Sequence, residues 1–158
     1  MKANLKRNDK ILIIVFAVLI AFTVAFIFRN SLQPGDASNA SSLGVMGKIK
    51  MLLGKFINIP DDRLHVLTRK LAHVSEFALL GGLCGGMAYT IGRVNKRAYI
   101  AAPLLFGVCV AITDESLQSF RDRAPLVTDV MIDFAGAALG FAFVMLVAFI
   151  IVKRKNKK

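Results

Sequence analysis

The sequence has no tryptophan, two cysteines, two tyrosines, and ten acidic residues against 21 lysines and arginines. The missing tryptophan excludes little, because twelve phenylalanines suit a protein core and a lipid face equally well. The shortage of cysteine excludes more. Cys84 and Cys109 each sit in the middle of an apolar segment, so there is no CxxC metal pair and no disulfide framework. Both read as packing residues. There is also no internal repeat, no heptad array and no second domain, so residues 1–158 form one unit.

What is present is apolar surface and positive charge. Apolar residues make up 56% of the chain and mean hydropathy is +0.60, too high for an ordinary soluble domain. The net charge of +11 does not point to nucleic acid, because the lysines gather at the chain ends beside apolar runs. That pattern belongs to membrane orientation and attraction to anionic lipid. Residues 11–28 carry no charge and span about 27 Å as a helix, close to a bilayer core. The run ends in Phe28-Arg29-Asn30-Ser31 rather than a small-residue cleavage site, which favours a retained anchor over a signal peptide. Further spans are expected at 72–91, 98–118 and 130–152, giving an all-α membrane protein with four transmembrane helices. Glycines at 81–82, 85–86, 136 and 140 mark faces where helices approach closely.

Between the first two spans, 43–59 places Met46, Ile49, Leu53, Phe56 and Ile57 on one helical stripe, with Lys48 and Lys55 off it. This predicts an extracytoplasmic interfacial helix, resting either on lipid or on the protein itself. Pro60-Asp61-Asp62 then opens the next helix, with proline near its first position and acids in its first turn. Asn39-Ala40-Ser41 matches a glycosylation sequon, a pattern short enough to arise by chance.

Four spans put both termini and the loop 92–97 on one side of the membrane. Those 22 residues hold twelve of the 21 Lys and Arg. The two longer connections hold the other nine, so the termini are expected in the cytoplasm of a plasma-membrane protein. On that orientation the ionisable residues of the spans gather at one depth, near the outer surface. Arg29 and Ser31 close the first span, and Arg69, Lys70, His73 and Glu76 open the second. Asp114, Glu115 and Gln118 close the third, Arg121 and Arg123 follow it, and Asp129 and Asp133 open the fourth. Ionisable groups within a membrane are costly unless paired or wetted, so their convergence predicts an outward-facing polar pocket. An ion-pair network that only fixes helix packing is the competing expectation.

Several of these residues carry a resemblance. Ser31 to Ser42 (SLQPGDASNASS), Arg69-Lys70-x-x-His73-x-x-Glu76-Phe77, Asp114-Glu115-x-x-Gln118-x-Phe120 and Arg123 with Asp129 and Asp133 resemble the VanZ-like family of small bacterial membrane proteins. Gly136 and Gly140 follow at the family's usual distance, and the likeness runs from Arg29 to Gly140. One departure is Phe28-Arg29-Asn30-Ser31-Leu32, where relatives often carry an aromatic or serine-rich run before Gln-Pro. That puts the roles of Arg29 and Ser31 in question. The resemblance implies a cell-envelope role. The founding members are linked to low-level resistance to teicoplanin, a glycopeptide that acts on wall precursors outside the membrane. It leaves enzymatic activity undecided.

The residue chemistry suggests a membrane lipid or lipid-linked wall precursor as partner. Arg69, Lys70, Arg121 and Arg123 suit phosphate, and Ser31 and Gln118 suit neutral head-group hydrogen bonds. For catalysis, His73 is the natural general acid or base, oriented by Glu76, with Asp114 or Glu115 as the second acid-base group. Asp129 and Asp133 complete the acidic wall. A metal held by His73, Glu76, Asp114 and Asp133 is set aside, because the spacing is not HExxH and nearby Lys and Arg repel a cation. No metal and no cofactor are expected. The alternatives from other classes are a non-enzymatic binder, a scaffold assembled through its glycine faces, and a transporter-like protein. Transport is disfavoured by the lack of repeats and of a midplane site.

Overall fold

Apolar runs broken by Pro, Gly and charge favour helices joined by polar connections. The computed structural model describes residues 6–32, 61–120 and 126–156, with the backbone alone at 61–63 and 65. They form four helices: α1 (Arg7–Ser31), α2 (Asp61–Asn95), α3 (Ala101–Ser119) and α4 (Val127–Lys155). The interfacial helix expected at 43–59, together with Arg121 and Arg123, lies outside the described residues.

Local chemistry sets the ends. After α1, Gln33-Pro34-Gly35 follows in sequence and cannot continue a helix. Asp61 begins α2 directly after Pro60. Lys96, with φ 54°, takes the left-handed position that closes α2, and the Arg97 amide donates back to the Gly92 carbonyl at 3.0 Å. Asp129 lies in the first turn of α4 and Lys153, Arg154 and Lys155 in its last, matching the helix dipole at both ends.

Three helices are long and apolar enough to cross a membrane: α1, the Val66–Asn95 part of α2, and α4. The third expected span, 98–118, which is α3, is not among them. It has 19 residues, and Asp114, Glu115 and Gln118 occupy its final turns. The second span is longer than expected, because α2 runs unbroken from Asp61 through the polar stretch around His73.

Burial is reversed relative to a soluble domain. Phe22, Leu139 and Phe143 are each at least 67% exposed, while Ser31, Asp114, Glu115, Gln118 and Asp133 are buried. An apolar exterior around polar interior groups is what a lipid solvent selects. The apolar part of the interior joins Ile27, Phe77, Leu80, Cys84, Val110, Ala111 and Ala137. Both cysteines are free thiols; Cys84 packs as expected, whereas Cys109 faces outward.

The most extensive packing is between α2 and α4, and α2 also packs on α1. Glycine makes the α2–α4 approach possible. A methyl group at Gly81 would collide with the Ala137 backbone, and one at Gly140 with the Ala78 backbone. With no side chains between them, the two backbones touch, and this draws Asp133 on α4 toward the His73 face of α2.

Candidate functional site

Each helix contributes polar side chains to one end of the bundle. On α1, Thr23, Ile27 and Ser31 form the buried stripe, four residues apart. Ser31 is the last residue of that stripe, and its hydroxyl donates to Asp114 Oδ1 at 2.5 Å. Asp114 is 0% exposed. One turn on along α3, Gln118 Nε2 donates to Asp114 Oδ2 at 3.1 Å. Two neutral donors thus fix a buried carboxyl group. Ser31 and Gln118, expected to face a head group, are turned inward to hold Asp114.

His73 lies across from that carboxyl group. Its Nδ1 is 3.8 Å from Asp114 Oδ2 and 4.0 Å from Asp133 Oδ1. Both separations exceed a hydrogen bond. Glu76, expected to orient His73, has another partner: Asn30 Nδ2 donates to its Oε1 at 2.9 Å. On α2, Lys70 Nζ pairs with Asp129 Oδ1 at 2.9 Å. Glu115 Oε1 accepts the Leu126 backbone N–H at 2.8 Å, which ties the end of α3 to the start of α4. Arg69 is half-buried and Arg29 is exposed.

Asn30 is the site residue that sequence reasoning missed. Its signal was its register, three residues after Ile27 on the buried stripe. The residues singled out at that end were its two neighbours, Arg29 and Ser31.

Three enclosed polar atoms have no hydrogen-bond partner among the described residues: His73 Nδ1, Glu76 Oε2 and Glu115 Oε2. Lys70, His73, Glu115, Gln118, Asp129, Ile132 and Asp133 line a cleft of about 10 Å³ at this end. A larger hollow of about 770 Å³ opens sideways between α1, α2 and α3, lined by apolar residues from Ala17 to Phe28 on α1 and by Cys84, Met87 and Phe106. A bridging water or a small closure would let a proton pass between imidazole and carboxylates, and the cluster presents nitrogen and oxygen donors from separate helices at close range.

A family model described as VanZ/LLP1 matches residues 16–150 of the 158-residue chain. No curated protein and no solved structure matches the chain. The match covers α1 from residue 16 onward, all of α2 and α3 and most of α4, and therefore every polar residue of the cluster. The chain belongs to the VanZ-like family.

Proposed function

We propose that this VanZ-like membrane protein binds or modifies an anionic, lipid-linked head group at the outer surface of the plasma membrane, in a cell-envelope role of the kind that bears on teicoplanin sensitivity. One observation carries the reading. Five carboxyl groups, an imidazole and a lysine from α2, α3 and α4, with Asn30 and Ser31 of α1, meet at one end of a bundle whose outer surface is apolar. Such groups are expensive near lipid and are retained where they do something.

The distribution of Lys and Arg supports cytoplasmic termini and a cluster on the far side. Connectivity supports α3 as the fourth crossing. It starts six residues after α2 ends and finishes beside Ser31, at the opposite end of the bundle. The side-opening apolar hollow suits the hydrocarbon chain of a lipid substrate, since its lining ends at Phe28, one turn from the cluster on α1. In this reading His73 is the general acid or base, facing Asp114 and Asp133, and Arg69 and Lys70 attract phosphate at the rim.

The competing reading is an ion-pair network that only secures packing. The inward bonds of Ser31 and Gln118 and the small volume of the cleft favour it. The deciding experiment expresses the wild type and the H73A, E76A and D114A variants and profiles envelope lipids and wall precursors by mass. A species that depends on wild type and is lost in all three variants establishes modification. Unchanged lipids with altered teicoplanin binding at the cell surface establish binding alone. Wild-type behaviour in every folded variant overturns the head-group reading.

A further inference from the structure

We propose that His73, Asp114 and Asp133 form a binding site for one divalent transition-metal ion of the Mn²⁺ or Zn²⁺ kind. The donors come from α2, α3 and α4, and one ligand atom from each lies within 4.8 Å of the others. His73 Nδ1 stands 3.8 Å from Asp114 and 4.0 Å from Asp133, too far to share a hydrogen bond with either. A shared ion accounts for such spacing. With bonds of about 2.1 Å, a tetrahedral ion sets its donors about 3.4 Å apart, so the two His73–carboxylate separations need close by only about half an ångström.

Two further observations point to a ligand. His73 Nδ1 is enclosed and has no hydrogen-bond partner among the described residues, a condition that costs free energy unless something fills it. Glu115 is 5% exposed, its Oε2 is likewise unpartnered, and it lines the same cleft as His73 and Asp133. That cleft, of about 10 Å³, holds about one water-sized body. The cleft takes an ion-sized body, which leaves any head group at its rim.

The donor set selects the ion. Imidazole suits Zn²⁺ and carboxylates suit Mn²⁺, a mixed nitrogen–oxygen set is a poor match for the all-oxygen preference of Mg²⁺ and Ca²⁺, and the absence of thiolate disfavours soft ions. Ser31 and Gln118 already hold the Asp114 carboxyl group in place, as partners of metal ligands commonly do. The sequence-based objections lose force in three dimensions. Ligands drawn from three helices need no HExxH spacing, and Lys70 is committed to Asp129. Three protein donors leave at least one position open. That it would take a phosphate oxygen rests on the head-group reading; that the site binds an ion does not.

The test uses the full chain purified in detergent without added lipid, stripped with chelator and titrated with MnCl₂ or ZnCl₂. Bound metal is measured by elemental mass spectrometry and folding by circular dichroism. Wild type should retain one ion per chain. H73Q and D133N should each weaken binding by at least about 100-fold, while D9N, at the opposite end of the bundle, should bind like wild type. A wild type that binds no more Mn²⁺ or Zn²⁺ than the folded H73Q and D133N variants overturns the proposal, as does equal loss in D9N. Equal competition by MgCl₂ or CaCl₂ overturns the choice of ion. Because no lipid is present, the result is independent of whether a head group binds.

Discussion

Asp9 and Arg93 meet at one end of the bundle, joining the first turns of α1 to the last turn of α2 in a single ion pair. At the other end the same two helices bring Asn30, Ser31, Lys70, His73 and Glu76 against Asp114, Glu115, Asp129 and Asp133. Both ends fasten α1 to α2, so the smaller arrangement shows how little that task requires. One acid and one base suffice. The larger arrangement has more carboxyl groups than bases among the described residues and leaves three enclosed polar atoms without partners. A network selected for packing alone satisfies its members, because each orphaned group costs about 1–3 kcal/mol. The surplus supports the proposal that the cluster end is the working end.

The strongest way to break this contrast is D114A. The substitution removes the acceptor of both Ser31 and Gln118 at a fully buried position. We expect a loss of about 3–5 kcal/mol, measured by denaturant titration in detergent micelles. D114N keeps the shape of the group and should lose less stability while still losing function. Equal stability of D114A and wild type would reduce the cluster to a set of independent contacts.

G140A breaks the cluster without touching a charge. The added methyl group meets the Ala78 backbone, so α4 must move away from α2 and carry Asp133 from His73. The expected cost is about 1–3 kcal/mol, together with the lipid or metal phenotype of D133N. The Asp9–Arg93 pair bridges α1 and α2 and should survive, which a disulfide trap between α1 and α2 at that end would show. Wild-type lipid profiles in G140A would mean that the α2–α4 approach does not set the site.

How far the chain was legible depends on what kind of contact is asked for. Register put Arg69, His73 and Glu76 on one face of α2, and apolar runs placed the helices. Those are local properties, and helix geometry fixes them. Partner choice is not local. Glu76 goes to Asn30, and His73 to Asp114 and Asp133, because helix rotation and the glycine-controlled depth of α4 against α2 decide which faces meet. No spacing within one helix encodes that. The third span stands apart for a related reason: Asp114, Glu115 and Gln118 made the site visible in sequence, and the same residues take α3 out of the range of a simple apolar span.

A smaller effect is expected from N30A, which frees Glu76 Oε1 and leaves both oxygens of that carboxyl group without partners among the described residues. The loss should be about 1 kcal/mol, read as a lower melting temperature. R29A, one residue earlier but exposed, should leave it unchanged. Equal effects at the two positions would remove Asn30 from the site.

The least effect belongs to the opposite end. Arg93 is 55% exposed on its side chain and Asp9 11%, so the pair is open to solvent or head groups on the arginine side, where screening and side-chain entropy offset part of the attraction. D9N should cost no more than about 0.5–1 kcal/mol and leave lipid profile and metal content at wild-type levels; R93A should cost more, because it strands the buried Asp9 carboxyl group. The double variant should cost little more than D9N, because the second substitution has no pair left to break. If instead D9N matched D114A in stability or function, the two ends would be equivalent parts of one scaffold. The unpartnered groups around His73 would then require an explanation other than a ligand.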